Sequence, residues 1–159
     1  MRISRLVSLA TIACVAALAT SSAAFAQTAG FGTAAEAKAM LEKTVVAMKA
    51  DPAKTIAQIN KGEGGFRDKD LYPFCAGPEG KTVAHPDPAR IGLVLRNNKD
   101  VNGKAYGAEF YAVAAEGKFA QVSYMYPRPG ADKTPVQKST FVTKVGDYLC
   151  VVGYYVDSH

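Results

Sequence analysis

Histidine and cysteine are scarce in this 159-residue chain, which has two of the first and three of the second. No Cys-x-x-Cys, Cys-x-x-Cys-His or histidine-rich cluster occurs, which removes the sequence basis for zinc, redox-dithiol and c-type haem sites. No serine stands in a Gly-x-Ser-x-Gly elbow, and no His–Asp pattern supports nucleophilic catalysis. The carboxylates Glu63, Asp68, Asp70, Glu109 and Glu116 are scattered, without a spacing that argues for acid–base work. No basic run is interleaved with aromatics, so a nucleic-acid surface is not expected. There is no internal repeat and no low-complexity stretch. What remains is an ordinary globular composition, 48% hydrophobic and 21% charged, long enough for one domain.

The first residues stand apart from that domain. Arg2 and Arg5 form a short positive start, Leu6 to Ala19 is almost wholly apolar, and Ala24-Phe25-Ala26 precedes Gln27. This is the layout of a secretory signal peptide with cleavage expected after Ala26, an uncleaved anchor being the alternative. The apolar run is short for a membrane span, which needs about 20 residues. Cys14 follows Thr11-Ile12-Ala13, a poor lipobox. Removing 26 residues from 159 leaves 133, and with Arg2 and Arg5 gone 17 bases face 14 acids. The resulting net charge of +3 is a mild bias. The expected product is an exported domain of residues 27–159, located in the periplasm.

Helical signals come first in that domain. Thr33 and Glu36 form a capping-box pattern, and Ala37, Met40, Leu41, Thr44, Val45 and Met48 recur at helical spacing. Asp51-Pro52 restarts a second helix with Ile56 and Ile59 inside, and Gly62, Gly64 and Gly65 end it, unlike a phosphate-binding loop that follows a strand. Strand patterns follow over 71–76 and 82–85, separated by a Gly77-Pro78-Glu79-Gly80 turn. Lys104 to Glu116 reads as a short helix with Tyr106, Phe110 and Val113 on one side. Residues 119–126, 136–145 and 148–156 complete five strands. In the first of these Val122, Tyr124 and Tyr126 share one face; the last is apolar on both faces, as a central strand is. The order of elements gives an α+β domain.

Cys75 and Cys150 both fall in predicted strands. In an oxidising compartment such a pair is a disulfide candidate, provided the two Cα atoms come within about 7 Å. Two small buried apolar side chains is the other reading.

The residues now resemble a known family. Leu71-Tyr72-Pro73-Phe74 and Glu79-Gly80-Lys81-Thr82-Val83-Ala84-His85-Pro86 are similar in order to the single Cache domain, a PAS-like extracytoplasmic sensor module of chemoreceptors and histidine kinases. Tyr124-Met125-Tyr126-Pro127-Arg128-Pro129-Gly130, Lys138 and the closing Gly153-Tyr154-Tyr155-Val156-Asp157 extend the resemblance over about residues 33–157. It implies a five-stranded antiparallel sheet with the N-terminal helix on one face. On the other it implies a pocket roofed by loops and the inserted helix, for small carboxylates or amines. Receptors of the family carry a cytoplasmic signalling domain. The resemblance therefore implies output through a separate membrane-bound kinase or receptor, and a homodimer through the N-terminal helix. Cys150 occupies a place where the family often has a bulky aromatic.

A small carboxylate needs charge-assisted donors in a mostly dry pocket. Tyr124, Tyr126, Arg128 and Lys138 flank one loop and can converge at its base. Lys138 also repeats the family pattern. The two tyrosines are otherwise core aromatics, and Arg128 otherwise a solvated loop charge. His85, held extended by Pro86, is a further donor or else satisfies a nearby backbone group. Tyr72 and Phe74 wall the pocket or lie under the helix, and Tyr106 completes the expected ligand-binding set. No metal and no cofactor is expected. The competing functions are an interaction module with a vestigial pocket and a small cone-shaped α+β enzyme.

Overall fold

The computed structural model describes residues 30–156. The expected signal peptide, its cleavage site and the terminal Asp157 and His159 lie outside the described residues. Helix α1 spans Ala34–Ala50 and begins at the capping box: Thr33 Oγ1 accepts from Glu36 N at 3.2 Å, and Glu36 Oε2 accepts from Thr33 N at 2.8 Å. Helix α2, Pro52–Lys61, starts on Asp51, whose carboxylate accepts from Lys54 N, and stops at Gly62 with φ +68°. That left-handed angle is the reason a glycine ends the helix there.

Strands β1 (Pro73–Ala76) and β2 (Thr82–Ala84) form a hairpin. An irregular segment with single 3-10 turns at Pro88–Arg90 and Leu95–Asn97 leads to helix α3, Tyr106–Val113. This helix is shorter than its apolar spacing suggests. At its start the Asp100 carboxylate draws the N–H groups of Asn102 and Lys104 into a turn. At its end Ala115 O accepts from Thr143 Oγ1 and Lys144 N, leading the chain along the sheet instead. Strands β3 (Ala120–Pro127), β4 (Pro135–Val145) and β5 (Tyr148–Tyr155) follow. The sheet order is β2-β1-β5-β4-β3 with every neighbouring pair antiparallel. The doubly apolar β5 is thus the central strand.

The pleat divides the core into two. Cys75, Phe141, Val145 and Val152 pack under Leu41, Met48 and Ile59 of the helices. The α1 stripe is buried in this layer, leaving the ion pair Lys38–Glu42 and the 70% exposed Val46 on the outer side. Cys75 stands opposite Cys150 in the β1–β5 register, and their sulfurs are bonded. On the opposite face Phe74, Val122, Tyr124, Val142 and Val151 meet Phe110 of α3 and Leu95. Helix α3 lies tight on the second 3-10 turn: Gly107 N donates to Asn98 O at 3.1 Å, and a side chain at 107 would collide with Leu95 O. This second face, roofed by α3 and the 86–98 segment, holds the candidate site. No helix among the described residues is long and apolar enough to cross a membrane.

Candidate ligand site

Two adjoining cavities open between the sheet and its roof. The inner one, about 30 Å³, has room for about two water-sized groups. The outer cleft is about 410 Å³ and reaches solvent past the 127–133 loop. Tyr72, His85, Arg90 and Tyr126 line both and form the passage between them.

Lys138 lies at the floor of the inner cavity, 2% exposed, on β4 directly opposite Tyr124 of β3. Its stem crosses Gly153 of β5, where an added Cβ would stand 2.5 Å from Lys138 Cε. The ammonium is surrounded by aromatic faces, 5.0 Å from the Tyr72 ring centre, 5.3 Å from Tyr126 and 4.9 Å from Tyr155. No carboxylate among the described residues lies within ion-pairing distance of Nζ, and none of their groups accepts a hydrogen bond from it. Three ring quadrupoles therefore replace the missing counter-ion, each contributing about 0.5–2 kcal/mol. Burial lowers the Lys138 pKa to about 8, with the Asp70 charge opposing the shift. At neutral pH the lysine remains a cation in a buried site.

The neutral donors surround it. Tyr124 is buried and stacked on Tyr106 at 3.9 Å, and its hydroxyl accepts from Thr140 Oγ1 at 3.3 Å, leaving its own proton to donate. Burial pushes the Tyr124 phenol well up and that of Tyr106 to about 12, so both stay protonated. Tyr126 accepts from Arg90 Nη2 at 2.8 Å. His85 Nδ1 accepts from Asp87 N at 2.8 Å, and burial lowers the imidazole pKa to about 4. It is neutral at pH 7, with its proton on Nε2. Its ring packs against Tyr72 and Phe74 at 5.3 and 5.5 Å.

Of the eight residues expected at the site, Tyr72, Phe74, His85, Tyr106, Tyr124, Tyr126 and Lys138 line the inner cavity together. Tyr72 and Phe74 wall it rather than lying under the helices. Arg128 lines the outer cleft, its guanidinium 4.3 Å over Phe31 and 5.3 Å over Tyr155. Arg90, Tyr155 and Asp70 also line these cavities; Tyr155 stands in the closing motif and Asp70 among the scattered carboxylates, neither of which pointed to the site. Arg90 had a usable signal: Asp87-Pro88 is a helix-start pair, and Asp87 caps the turn by accepting from Ala89 N. Among the described residues no group of three or more His, Cys, Asp or Glu could hold a metal ion.

A small cationic cavity lined by phenols and a neutral imidazole can bind an anion. The family model described as the Cache domain matches residues 36–158. Among solved structures, a methyl-accepting chemotaxis protein from Vibrio parahaemolyticus aligns with a TM-score of 0.61 at 21% identity, covering 77% of this chain and 88% of that one. A periplasmic sensor domain of a chemotaxis protein aligns at 0.56 and 24% identity, over 76% and 88% of the two chains. A Cache chemosensory domain solved for its carboxylic acid recognition aligns at 0.53 and 21%, over 76% and 86%. At these identities the likeness is one of fold. No curated protein matches.

Proposed function

The chain belongs to the Cache domain family, and from that premise we propose that it is a periplasmic sensor-type protein binding a small organic anion, a carboxylate of two to four carbons. One observation carries the reading: the buried Lys138 ammonium has no carboxylate in ion-pair contact among the described residues, Asp70 acting on it only from a distance, and sits at the floor of a cavity. Removing a cation from water without a partner costs several kcal/mol, so such a group is kept for a partner that arrives. A carboxylate's two oxygens match the inner volume, one facing Lys138 and the other the Tyr126 and Tyr124 hydroxyls or His85 Nε2. Arg90 holds the passage, and Arg128 with the outer cations draws the anion in. The carboxylic acid recognition for which the similar Cache domain was solved supports the choice of ligand class. The chain's output is read by a chemoreceptor or kinase, with which Cache domains act.

The test is a thermal-shift and calorimetric series with acetate, propionate, butyrate and matched amines at neutral pH. A ligand at 100 times its Kd adds about 2.7 kcal/mol, which raises the midpoint of a domain this size by about 10 °C. Carboxylates are expected to bind, amines not, and Lys138→Met to weaken binding at least about a hundredfold. Unchanged affinity in Lys138→Met would refute the site. A flat series would point to the docking-module reading instead.

A further inference from the structure

Asp70 is an acceptor prepared for something the described residues do not supply. It sits at the corner of a tight two-residue turn, closed by Leu71 N donating to Asp68 O at 2.8 Å and Asp68 N to Leu71 O at 3.2 Å. The neighbouring corner residue, Lys69, has φ +53° and is the one non-glycine residue with a positive φ among those described. That conformation is disfavoured for a lysine and persists where the surroundings enforce it. Here two contacts enforce it: Lys69 Nζ lies 2.6 Å from Glu36 Oε1, and Asp70 Oδ1 accepts from Gly32 N at 2.6 Å. Both tie the turn to the start of α1. Gly32 is needed for this approach, because a Cβ there would run into the Leu71 side chain.

The clamp holds one carboxylate oxygen and leaves the other fixed in direction. Asp70 Oδ2 is buried, has no hydrogen-bond partner, and belongs to a residue lining the outer cleft beside Tyr72 and Tyr126. A buried acceptor left unpaired costs about 1–3 kcal/mol, more when charged, so the site gains when a donor arrives. The cleft narrows to the passage walled by Tyr72, His85, Arg90 and Tyr126, with Lys138 beyond it. Asp70 lies near enough for its charge to act on Lys138, so a ligand whose carboxylate reaches Lys138 can extend its remaining atoms toward Asp70. Cationic side chains lining the cleft outnumber its two carboxylates, Asp70 and Asp87. An added ammonium is disfavoured there, and a neutral donor suits the place better.

We infer that the ligand is a hydroxy acid, with its carboxylate at Lys138 and its hydroxyl donating to Asp70 Oδ2. This rests on the carboxylate reading above and makes it narrower. The experiment is calorimetry on the exported protein, with acetate, propionate and butyrate each set against glycolate, lactate and 3-hydroxybutyrate. 2-Fluoropropionate, isosteric with lactate but without a donor, and alanine complete the series. The best hydroxy acid is expected to bind at least about tenfold tighter than its parent acid, with 2-fluoropropionate behaving like propionate. In Asp70→Ala the gap is expected to fall below about twofold, with the ligand-free melting curve checking that the variant folds. The ligand comparison in the unaltered protein stands whether or not that variant folds. Parent acids binding as tightly as hydroxy acids would overturn the assignment of Asp70 and leave the carboxylate reading intact. Alanine binding tightest would overturn the hydroxyl in favour of an ammonium. Failure of every acid to bind would overturn the carboxylate reading and this one with it.

Discussion

On the proposed reading, with the ligand's carboxylate at Lys138, a single residue couples binding to pH. Its pKa near 8 means that an anion meets a charged ammonium at neutral pH and a neutral amine well above it. A bound carboxylate favours the charged form, so binding takes up a proton once the pH exceeds about 8. Carboxylate affinity is expected to be flat from pH 6 to 7.5 and to fall toward tenfold per unit above about 8.5. Calorimetry in buffers of different ionisation enthalpy reads both the affinity and the proton; an unchanged affinity at pH 9.5 would refute the coupling. In the ligand-free protein the sign is opposite. The native lysine releases its proton below its ordinary value of 10.5, so the unfolded chain binds more protons between about 8 and 10.5. Stability from this group therefore rises with pH across that window and is lowest below it. The residue proposed to hold the ligand thereby weakens the empty fold.

Elements decide whether that lysine is in place, and they also mark which parts of the site were legible in the sequence. Tyr124 and Tyr126 were readable because period two forces residues two apart onto one face, and Lys138 because it flanks the same loop and repeats the family pattern. The capping box at Thr33 and the Asp51-Pro52 restart were readable because each is a local hydrogen-bond pattern complete within four residues. Asp70 was not: its turn contains no glycine or asparagine, and its left-handed neighbour Lys69 is held by contacts to residues more than thirty positions away. Arg90 carried only the Asp87-Pro88 helix-start signal, and its place at the passage depends on how 91–95 runs beside β2, with Thr82 N donating to Leu93 O and Leu95 N to Gly80 O, which no periodicity signals. The least conspicuous strand residue in the site is Gly153. Because an added Cβ would meet both Lys138 Cε and Thr140 Oγ1, Gly153→Ala is expected to displace the lysine and weaken carboxylate binding at least about tenfold, at a stability cost of about 1–3 kcal/mol. Paired melting and titration curves check it; a variant with unaltered affinity would mean that the ammonium does not need its present path across β5.

For the whole molecule, the covalent link between β1 and the central β5 joins parts of the chain 75 residues apart. Composition alone gave no need for it, since a domain of this length can bury about two-thirds of its unfolded surface. Nor did the two strand patterns say which residues stand opposite one another; the β1–β5 register is a property of the closed sheet. The bond lies in the helix-side core, while Lys138 and the cavities lie on the other face, reached from the same strands. Stabilisation by such a link grows with the loop it closes and is about 4 kcal/mol for this separation. We therefore expect that protein exported from its full-length precursor begins at Gln27 and carries no free thiol. Reduction is expected to lower its melting temperature by more than about 10 °C. Intact-mass measurement with and without a thiol-alkylating reagent reads the first two, and melting with and without reductant the third. A mature protein starting elsewhere would overturn the cleavage site. A reduced protein melting at the same temperature would mean that the two cores close the sheet without the bond. Alkylatable cysteines in exported protein would separate the sheet's register, which brings the sulfurs together, from the oxidation that joins them.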